Sequence, residues 1–194
     1  MSSRPGGASG TGAAPRGGTP ARPLVAACAV LGAIGCLVAS LLTWLRLPDG
    51  EGGVATVSGW GTVGGGSQIA GQNLNDAMNG NATFRPGTLP VLIGGLALLA
   101  GLGVALVARG PKPHRIPGAV LALCGAGALA WGVLRVLRPD SVGLLQPGEG
   151  SAGAGPWLTA GSGVVLLAVA VVLLLGLLDP PPPLPRRGIQ PAGR

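Results

Sequence analysis

The sequence predicts an all-α membrane protein with four transmembrane helices, disordered tails and a small irregular loop cap on the outer side. Two observations predict this fold. The chain of 194 residues is 47% hydrophobic and only 10% charged, whereas soluble domains usually carry about 25% charged residues. So little charge leaves too little polar surface to cover a water-soluble particle. The second observation is that the apolar residues are gathered into four long stretches.

Each stretch lacks Asp, Glu, His, Lys and Arg in its interior and holds roughly 20 residues, the length at which a helix crosses about 30 Å of hydrocarbon. Soluble core helices are rarely apolar on every face for this length, and a helix satisfies its own backbone hydrogen bonds in lipid. The predicted spans cover residues 24–45, 89–108, 116–134 and 157–178.

The predicted domains follow from these spans. Residues 1–22 contain almost nothing to bury and are predicted to be a disordered cytoplasmic tail. Residues 180–194 begin with four prolines, which favour a stiff polyproline II segment, and form a cytoplasmic tail rich in Pro and Arg. Residues 23–179 form the transmembrane domain, with outer loops at 46–88 and 135–156.

Arginine and lysine placement predicts the orientation, because cytoplasmic loops carry an excess of both. The opposite side receives four basic and five acidic residues. The side with both tails and the short loop after span two receives one acid and nine basic residues, which are Arg4, Arg16, Arg22, Arg109, Lys112, Arg115, Arg186, Arg187 and Arg194. We therefore predict a multi-pass protein of the cell membrane with cytoplasmic termini.

Tryptophan placement agrees with this orientation. Trp44, Trp131 and Trp157 lie near the predicted outer ends of spans, where amphipathic rings are enriched at the membrane–water interface. We predict that all three are interfacial anchors. In the first outer loop we expect a hairpin around Trp60 and one short helical turn within residues 69–78, separated by breaking glycines.

Small residues recur at every fourth position in the first three spans, which predicts smooth faces where helix backbones approach closely. The fourth span is bulky and branched over residues 164–175, so we expect it to be the more lipid-exposed helix. The predicted small-residue faces consist of Cys28, Gly32, Cys36 and Ser40, of Ala97, Gly101 and Ala105, and of Gly118, Ala122, Ala126 and Ala130.

No pattern in the sequence indicates a catalytic, cofactor-binding or metal-binding residue. Ionisable side chains inside a membrane are costly and mark functional sites, and the interiors of the predicted spans contain none. His114 is the only histidine and has no other ligand type clustered near it. Cys28, Cys36 and Cys124 lie within spans, where thiols behave as small apolar groups. The sequence therefore predicts a protein that is not an enzyme.

Arg135 and Arg138 form the most distinctive pair in the sequence. They lie three residues apart at the predicted outer end of span three, so they share a helix face, and they oppose the positive-inside trend. One interpretation is that they contact an anionic lipid or ligand beneath the outer loops. The other is that they extend to the interface and pair with Asp140 or Asp49.

Four short strings carry a family resemblance: Leu-Thr-Trp-Leu at 42–45, Ala-Thr-Val-Ser-Gly at 55–59, Val-Ala-Arg-Gly at 107–110 and Gly-Pro-Trp-Leu at 155–158. With the order of long outer loop, tight basic inner loop and second outer loop, they resemble the tryptophan-operon-associated transmembrane proteins of bacteria. The resemblance implies a four-span protein of a bacterial membrane. That family has no established activity, so the resemblance implies no reaction.

The predicted partner is the lipid bilayer, with other membrane or envelope proteins and a second copy of the chain as open alternatives. Nucleic acid is not expected despite the pI of 11.3, because the basic residues are spread thinly without stacking aromatics. The favoured function is a non-enzymatic membrane component or partner subunit that presents its outer loops. The alternative is a small oligomeric transporter or channel, which needs polar residues along a pore.

Overall fold

The computed structural model describes residues 21–48, 53–66, 68, 70–77, 83–106, 115–139 and 150–178. Within these ranges the chain forms five helices and four strands. In order, they are α1 (Ala21–Leu41), β1 (Thr43–Pro48), β2 (Val54–Ser58), β3 (Val63–Gly65), α2 (Leu74–Ala77), α3 (Thr88–Leu106), α4 (Arg115–Leu137), β4 (Ser151–Ala152) and α5 (Ala154–Leu174).

The prediction of four transmembrane helices is confirmed, because α1, α3, α4 and α5 are each long and apolar enough to cross a membrane. The bounds shift by one to four residues, most at the ends of the first and last helices. The first helix ends at Leu41 rather than residue 45, since the following residues form β1. The last helix ends in a turn where Gly176 has φ 66°. There the N–H groups of Gly176 and Leu177 donate to the carbonyls of Leu173 and Val172, which satisfies groups that a helix end leaves open.

The four long helices form a ring in which each packs against two neighbours: α1 against α3 and α5, and α4 against α3 and α5. In the centre, Ala29, Ala33 and Ala128 are fully buried together with Leu121 and Leu166. The outer surface carries exposed leucines on every long helix, as expected for a bundle whose solvent is lipid. These include Leu24, Leu31, Leu92, Leu96, Leu99, Leu106, Leu123 and Leu174.

The small-residue faces match the prediction only in part. In α4, Gly118 is buried but Ala126 and Ala130 are exposed. A step of four residues advances about 40° around a helix of 3.6 residues per turn, so a strict four-residue pattern turns away from the interface. The observed face of α4 alternates steps of three and four residues through Gly118, Leu121, Gly125, Ala128 and Gly132, and Cys124 is buried next to Gly125.

The expectation that the fourth span is the lipid-exposed helix is wrong, because α5 is the most buried of the four long helices. Helix α5 carries small residues as well as branched ones. At these small residues the backbone of α5 lies in close contact with the backbone of α4. A Cβ atom added at Gly163 would lie 2.8 Å from the Gly125 carbonyl oxygen, and one at Gly132 would lie 2.7 Å from the Pro156 carbonyl oxygen. Close approach of backbones is the means by which helices pack in lipid.

The four strands form one antiparallel sheet in the order β3-β2-β1-β4. Strands β2 and β3 are the predicted hairpin around Trp60, and their turn contains Gly61 with φ 86°. Helix α2 is the predicted helical turn. The cap is therefore more regular than the irregular loop that we expected, and its own core consists of Leu45, Val57 and Phe84.

Several predictions concern residues outside the described ranges. These include residues 1–20 of the first predicted tail, all of the second predicted tail at 180–194, and the loop with His114. Within the first predicted tail, Arg22 belongs instead to α1, and its guanidinium donates to the Leu178 carbonyl oxygen at 3.4 Å.

Candidate functional site at the sheet end of the bundle

The sheet lies at one end of the bundle, where α1 leads into β1 and where α4 and α5 contact strands. Helices α1 and α4 end there, whereas α3 and α5 begin there, and β4 lies directly before α5. We call this end of the molecule the sheet end. The candidate site lies here because the described charged and aromatic side chains that contact more than one element are concentrated at this end.

Trp44 joins the sheet to the helices through a β-bulge. Thr43 pairs with Ser58 and Leu45 pairs with Val57, so Trp44 is an extra residue in β1. A bulge allows consecutive residues to point to the same side of a sheet, and Trp44 and Leu45 are accordingly both 3% exposed. The indole N–H of Trp44 donates to a carbonyl oxygen of α1.

Glycines on both sides give the Trp44 ring its space. A Cβ atom added at Gly59 would lie 2.8 Å from the indole nitrogen, and one added at Gly155 would lie 2.5 Å from it. Main-chain hydrogen bonds surround the same ring. The N–H of Gly59 donates to the Leu42 carbonyl oxygen, and the N–H of Gly153 donates to that of Trp44, both at 3.1 Å. The sheet is thus fixed to α1 and α5 by packing and hydrogen bonds together.

The three predicted interfacial anchors have different environments. Trp44 departs from the prediction, because a ring that is 3% exposed contacts protein rather than the membrane interface. Trp131 is half-buried, and its indole N–H donates to the Pro86 carbonyl oxygen at 3.2 Å. Trp157 is 63% exposed near the start of α5. An anchoring role for Trp131 and Trp157 stays a prediction.

A cavity of about 370 Å³ opens between the first turn of α3, the last turns of α4 and the loop that precedes α3. Among the described residues that line it, two side chains are cationic and none is a carboxylate. It is lined by Thr83, Phe84, Arg85, Pro86, Thr88, Leu89, Trp131 and Arg135. We call it the cationic cavity.

Arg135 is held against the wall of the cationic cavity by an aromatic contact. Its guanidinium carbon lies 4.3 Å from the centroid of the Trp131 ring, a separation typical of cation–π stacking. The two residues are four apart in α4, so they lie one above the other on the same helix face. The Trp131 indole is in turn hydrogen-bonded to the Pro86 carbonyl oxygen. The stack on Trp131 therefore fixes the position of Arg135 relative to the loop that contains Arg85.

The structure separates the two arginines that the sequence paired. Arg135 is half-buried and lines the cationic cavity, whereas Arg138 is exposed and does not line it. The alternative partners Asp49 and Asp140 lie outside the described residues. Sequence analysis missed Arg85, although its position three residues before a span that starts in an outer loop was a signal for a second cation at the same level.

Asn75 fixes one wall of the cationic cavity from the cap, and sequence analysis missed it as well. Its side-chain oxygen accepts the N–H of Phe84 at 2.6 Å, and its side-chain nitrogen donates to the carbonyls of Phe84 and Trp60 at 3.2 and 3.4 Å. Such pairing of an amide with main chain is common in loops, and sequence alone does not show which main-chain groups it meets.

The interior of the described bundle is polar only through hydroxyls. Ser40, Thr159 and Ser162 are the buried polar residues of the described part. Ser40 donates to the Leu37 carbonyl oxygen at 2.6 Å and Thr159 to that of Gly155 at 2.9 Å. Both bonds return to the hydroxyl's own helix, which is the usual use of such groups in transmembrane helices. Ser40 and Thr159 thus each bond within their own helix near the Trp44 junction.

Neither a comparison with protein-family models nor one with curated proteins finds a match for this sequence. The resemblance to the tryptophan-operon-associated transmembrane proteins therefore stays a prediction.

Proposed function

We propose that this protein is a non-enzymatic component of the cell membrane that holds a small sheet on one side of the bilayer for contact with another protein. The observation that carries the proposal is the junction at Trp44, where bulge, glycine contacts and main-chain hydrogen bonds fix the sheet to the bundle. A protein that only anchors itself in the membrane does not need a cap held in a fixed position on its helices. A protein that presents a binding surface benefits from such a cap, because a pre-organised surface loses less entropy on binding.

The exposed side of the sheet supplies that face. In β2, Ala55 and Val57 are buried, whereas Val54 is 53% exposed. Arg46 in β1 is also exposed. Alternation of this kind is typical of a sheet packed on one side only, so the other side remains accessible to a partner.

The bundle supports a structural rather than a transport role. Within the described residues no charged side chain is buried, and the buried polar groups are three hydroxyls near the sheet end. Coupled transport and catalysis in a membrane both rely on ionisable groups at depth. The proposed orientation places the sheet outside the cytoplasm, because the tails and the short loop at the other end carry most of the basic residues.

Site-specific photo-cross-linking in native membranes tests this function. A photoreactive amino acid is placed at Val54 or Gln72, both exposed on the cap, and at Leu99 or Leu123, both exposed on long helices. We expect a discrete adduct of one mass from the two cap positions and none from the two helix positions. The same products from all four positions, or none from any, would contradict the proposal.

A variant that disrupts only the cap provides the matched control. Gly65 has φ 95°, and an added Cβ atom would collide with the Val54 carbonyl oxygen. Gly65→Val should therefore abolish the cap adducts while the helical content of the bundle is retained. Solute flux into proteoliposomes that exceeds the flux into protein-free liposomes would instead favour the transporter hypothesis.

A further inference from the structure

A proline-rich motif in the C-terminal tail has no part in the function proposed for the cap. Residues 181–187 read Pro-Pro-Pro-Leu-Pro-Arg-Arg, so Pro182 and Pro185 lie three positions apart and Arg187 follows two positions later. These residues lie outside the described ranges. We propose that residues 181–187 bind as a polyproline II helix in an aromatic-lined groove on a domain of a partner protein. Grooves of this kind recognise segments with two prolines three positions apart.

The spacing of the motif matches the threefold symmetry of a polyproline II helix. Such a helix has three residues per turn, so its side chains form three edges. In this form one edge carries Pro182 and Pro185, and the next edge carries Pro181, Leu184 and Arg187. These two neighbouring edges place four apolar side chains and one cation in the groove, while the third edge faces away from it. The planar guanidinium of the arginine matches a carboxylate of the partner at the end of the groove.

The structure fixes the point from which this motif leaves the bundle. After α5 ends at Leu174, the chain turns at Gly176, where φ is 66°. Leu178 is then 6% exposed and belongs to the same core cluster as Ala26 of α1. The Arg22 guanidinium donates to the Leu178 carbonyl oxygen at 3.4 Å. Packing and a hydrogen bond therefore hold the last described residue of the chain against the start of α1.

The anchor at Leu178 is followed almost directly by prolines, because only Asp179 separates it from the run at 180–183. Proline-rich segments act as semi-rigid spacers of about 3.1 Å per residue, whereas segments rich in Gly and Ser are flexible coils. The motif thus begins about 9 Å from the anchor, and its position relative to the bundle is restricted before a partner arrives. Such restriction lowers the entropy lost on binding. The anchor lies at the opposite end of the bundle from the sheet, so this partner is distinct from the one proposed for the cap.

The other class of partner for a basic tail is an anionic membrane surface. Segments that bind anionic lipids carry clusters of about four to eight Lys and Arg, whereas residues 180–194 carry three arginines, at 186, 187 and 194. Attraction to lipid also depends on charge and not on the spacing of prolines. The proline spacing therefore favours a protein groove, and the test separates the two classes of partner.

Titration of the full-length chain in lipid nanodiscs with a purified SH3 domain tests the proposal. The domain is one that prefers an arginine two positions after the second proline, and isothermal titration calorimetry measures the affinity. We expect saturable binding of one domain per chain, and its absence would overturn the proposal. Pro185→Ala and Arg187→Ala should each weaken the affinity about tenfold, because the first removes ring packing in the groove and the second a charge-assisted hydrogen bond.

Each variant has a matched control in the same tail. Arg186→Ala removes the same charge one position earlier, on the edge that faces away from the groove, and should change the affinity less than about twofold because exposed charges are screened. Pro191→Ala removes a proline that lies outside the motif and should leave the affinity unchanged. Equal losses from Arg186→Ala and Arg187→Ala would reduce the effect to net charge and overturn the proposal. Equal affinities of the Pro185→Ala and Pro191→Ala variants would do the same.

Photo-cross-linking in native membranes tests for the partner itself. A photoreactive leucine analogue at Leu184 should give a protein adduct of one mass that is lost in Pro185→Ala and retained in Pro191→Ala. Adducts with lipid alone, no adduct, or protein adducts that persist in Pro185→Ala would overturn the proposal. The substituted residues belong to neither described core cluster, so the adducts expected at Val54 and Gln72 should be unchanged. Failure of this proposal is therefore distinguishable from failure of the function proposed for the cap.

Discussion

The indole N–H of Trp44 donates a hydrogen bond of 2.8 Å to the main-chain carbonyl oxygen of Ala39. The acceptor lies in the last turn of α1, and the donor lies in the first strand of the sheet, only five residues later. One buried side chain thus closes the corner where the chain leaves the bundle and enters the cap. It gives a second, shorter hydrogen bond to a carbonyl at the helix end that also accepts the Leu42 N–H at 3.3 Å.

Trp44→Phe should therefore loosen the cap. The substitution keeps an aromatic ring but removes the donor to Ala39 and leaves space between Gly59 and Gly155, so we expect a loss of about 2 kcal/mol or more in the free energy of unfolding. Reversible unfolding by sodium dodecyl sulfate in mixed micelles measures this change in the free energy of unfolding. Trp157→Phe is the matched control, and at a 63% exposed residue its effect should stay within about 0.5 kcal/mol.

The helix contacts give a second prediction that uses two glycines of α5. Gly163→Ala places a Cβ atom 2.8 Å from the Gly125 carbonyl oxygen, so α4 and α5 must separate, and we expect a loss of about 1–3 kcal/mol in the free energy of unfolding. Gly161→Ala is two residues away, where an added Cβ has nothing within 4 Å. Its effect should be neutral or slightly stabilising, by up to about 1 kcal/mol. Equal losses in the two variants would refute the proposed backbone contact.

The sequence predicts the long helices well and the junction poorly, for physical reasons. A helix in lipid is encoded locally by about 20 apolar residues, and α3, α4 and α5 follow that rule. The end of α1 is not encoded in this way, because Trp44 and Leu45 are as apolar as the helix before them. What places them in a strand is pairing with β2 and with β4, whose two residues lie more than one hundred positions later.

The candidate site shows the same limit. The spacing in the sequence places Arg135 and Arg138 at one end of a helix, but it does not show that Arg135 stacks on Trp131 within α4 while Arg138 follows the last residue of α4 and is exposed. The cavity depends on Trp131, four residues before Arg135, and on Arg85, which lies about fifty positions earlier in the chain. Contacts between segments distant in sequence determine that Arg135, and not Arg138, lines the cationic cavity. A local sequence pattern does not encode these contacts.

Asn75 gives a third prediction, about the wall of the cavity. Asn75→Ala removes the acceptor for the Phe84 N–H and the donors to two carbonyls, so the segment at residues 83–88 should open more often. Hydrogen exchange followed by mass spectrometry should show exchange at that segment at least about tenfold faster, since each 1.4 kcal/mol is a factor of ten. Gln72→Ala changes an exposed side chain of the same loop and should leave the exchange rate unchanged.

The same variant separates the cap from the bundle. We expect Asn75→Ala to leave exchange in α1 and α5 unaltered, because the hydrogen bonds of Asn75 join loop segments of the cap and do not reach those helices. Faster exchange throughout the bundle would mean that the cap and the helices unfold as one cooperative unit, contrary to this expectation.

Labelling of introduced cysteines gives a fourth prediction, about orientation. With the basic end in the cytoplasm, a membrane-impermeant maleimide added to intact cells should modify Ala70→Cys, which is exposed on the cap, and should miss Pro113→Cys in the short basic loop until the cells are permeabilised. The native thiols give little background, because Cys36 and Cys124 are buried and Cys28 is half-buried within the helices. Labelling of Pro113→Cys but not Ala70→Cys in intact cells would reverse the orientation and place the sheet and the cationic cavity on the cytoplasmic side.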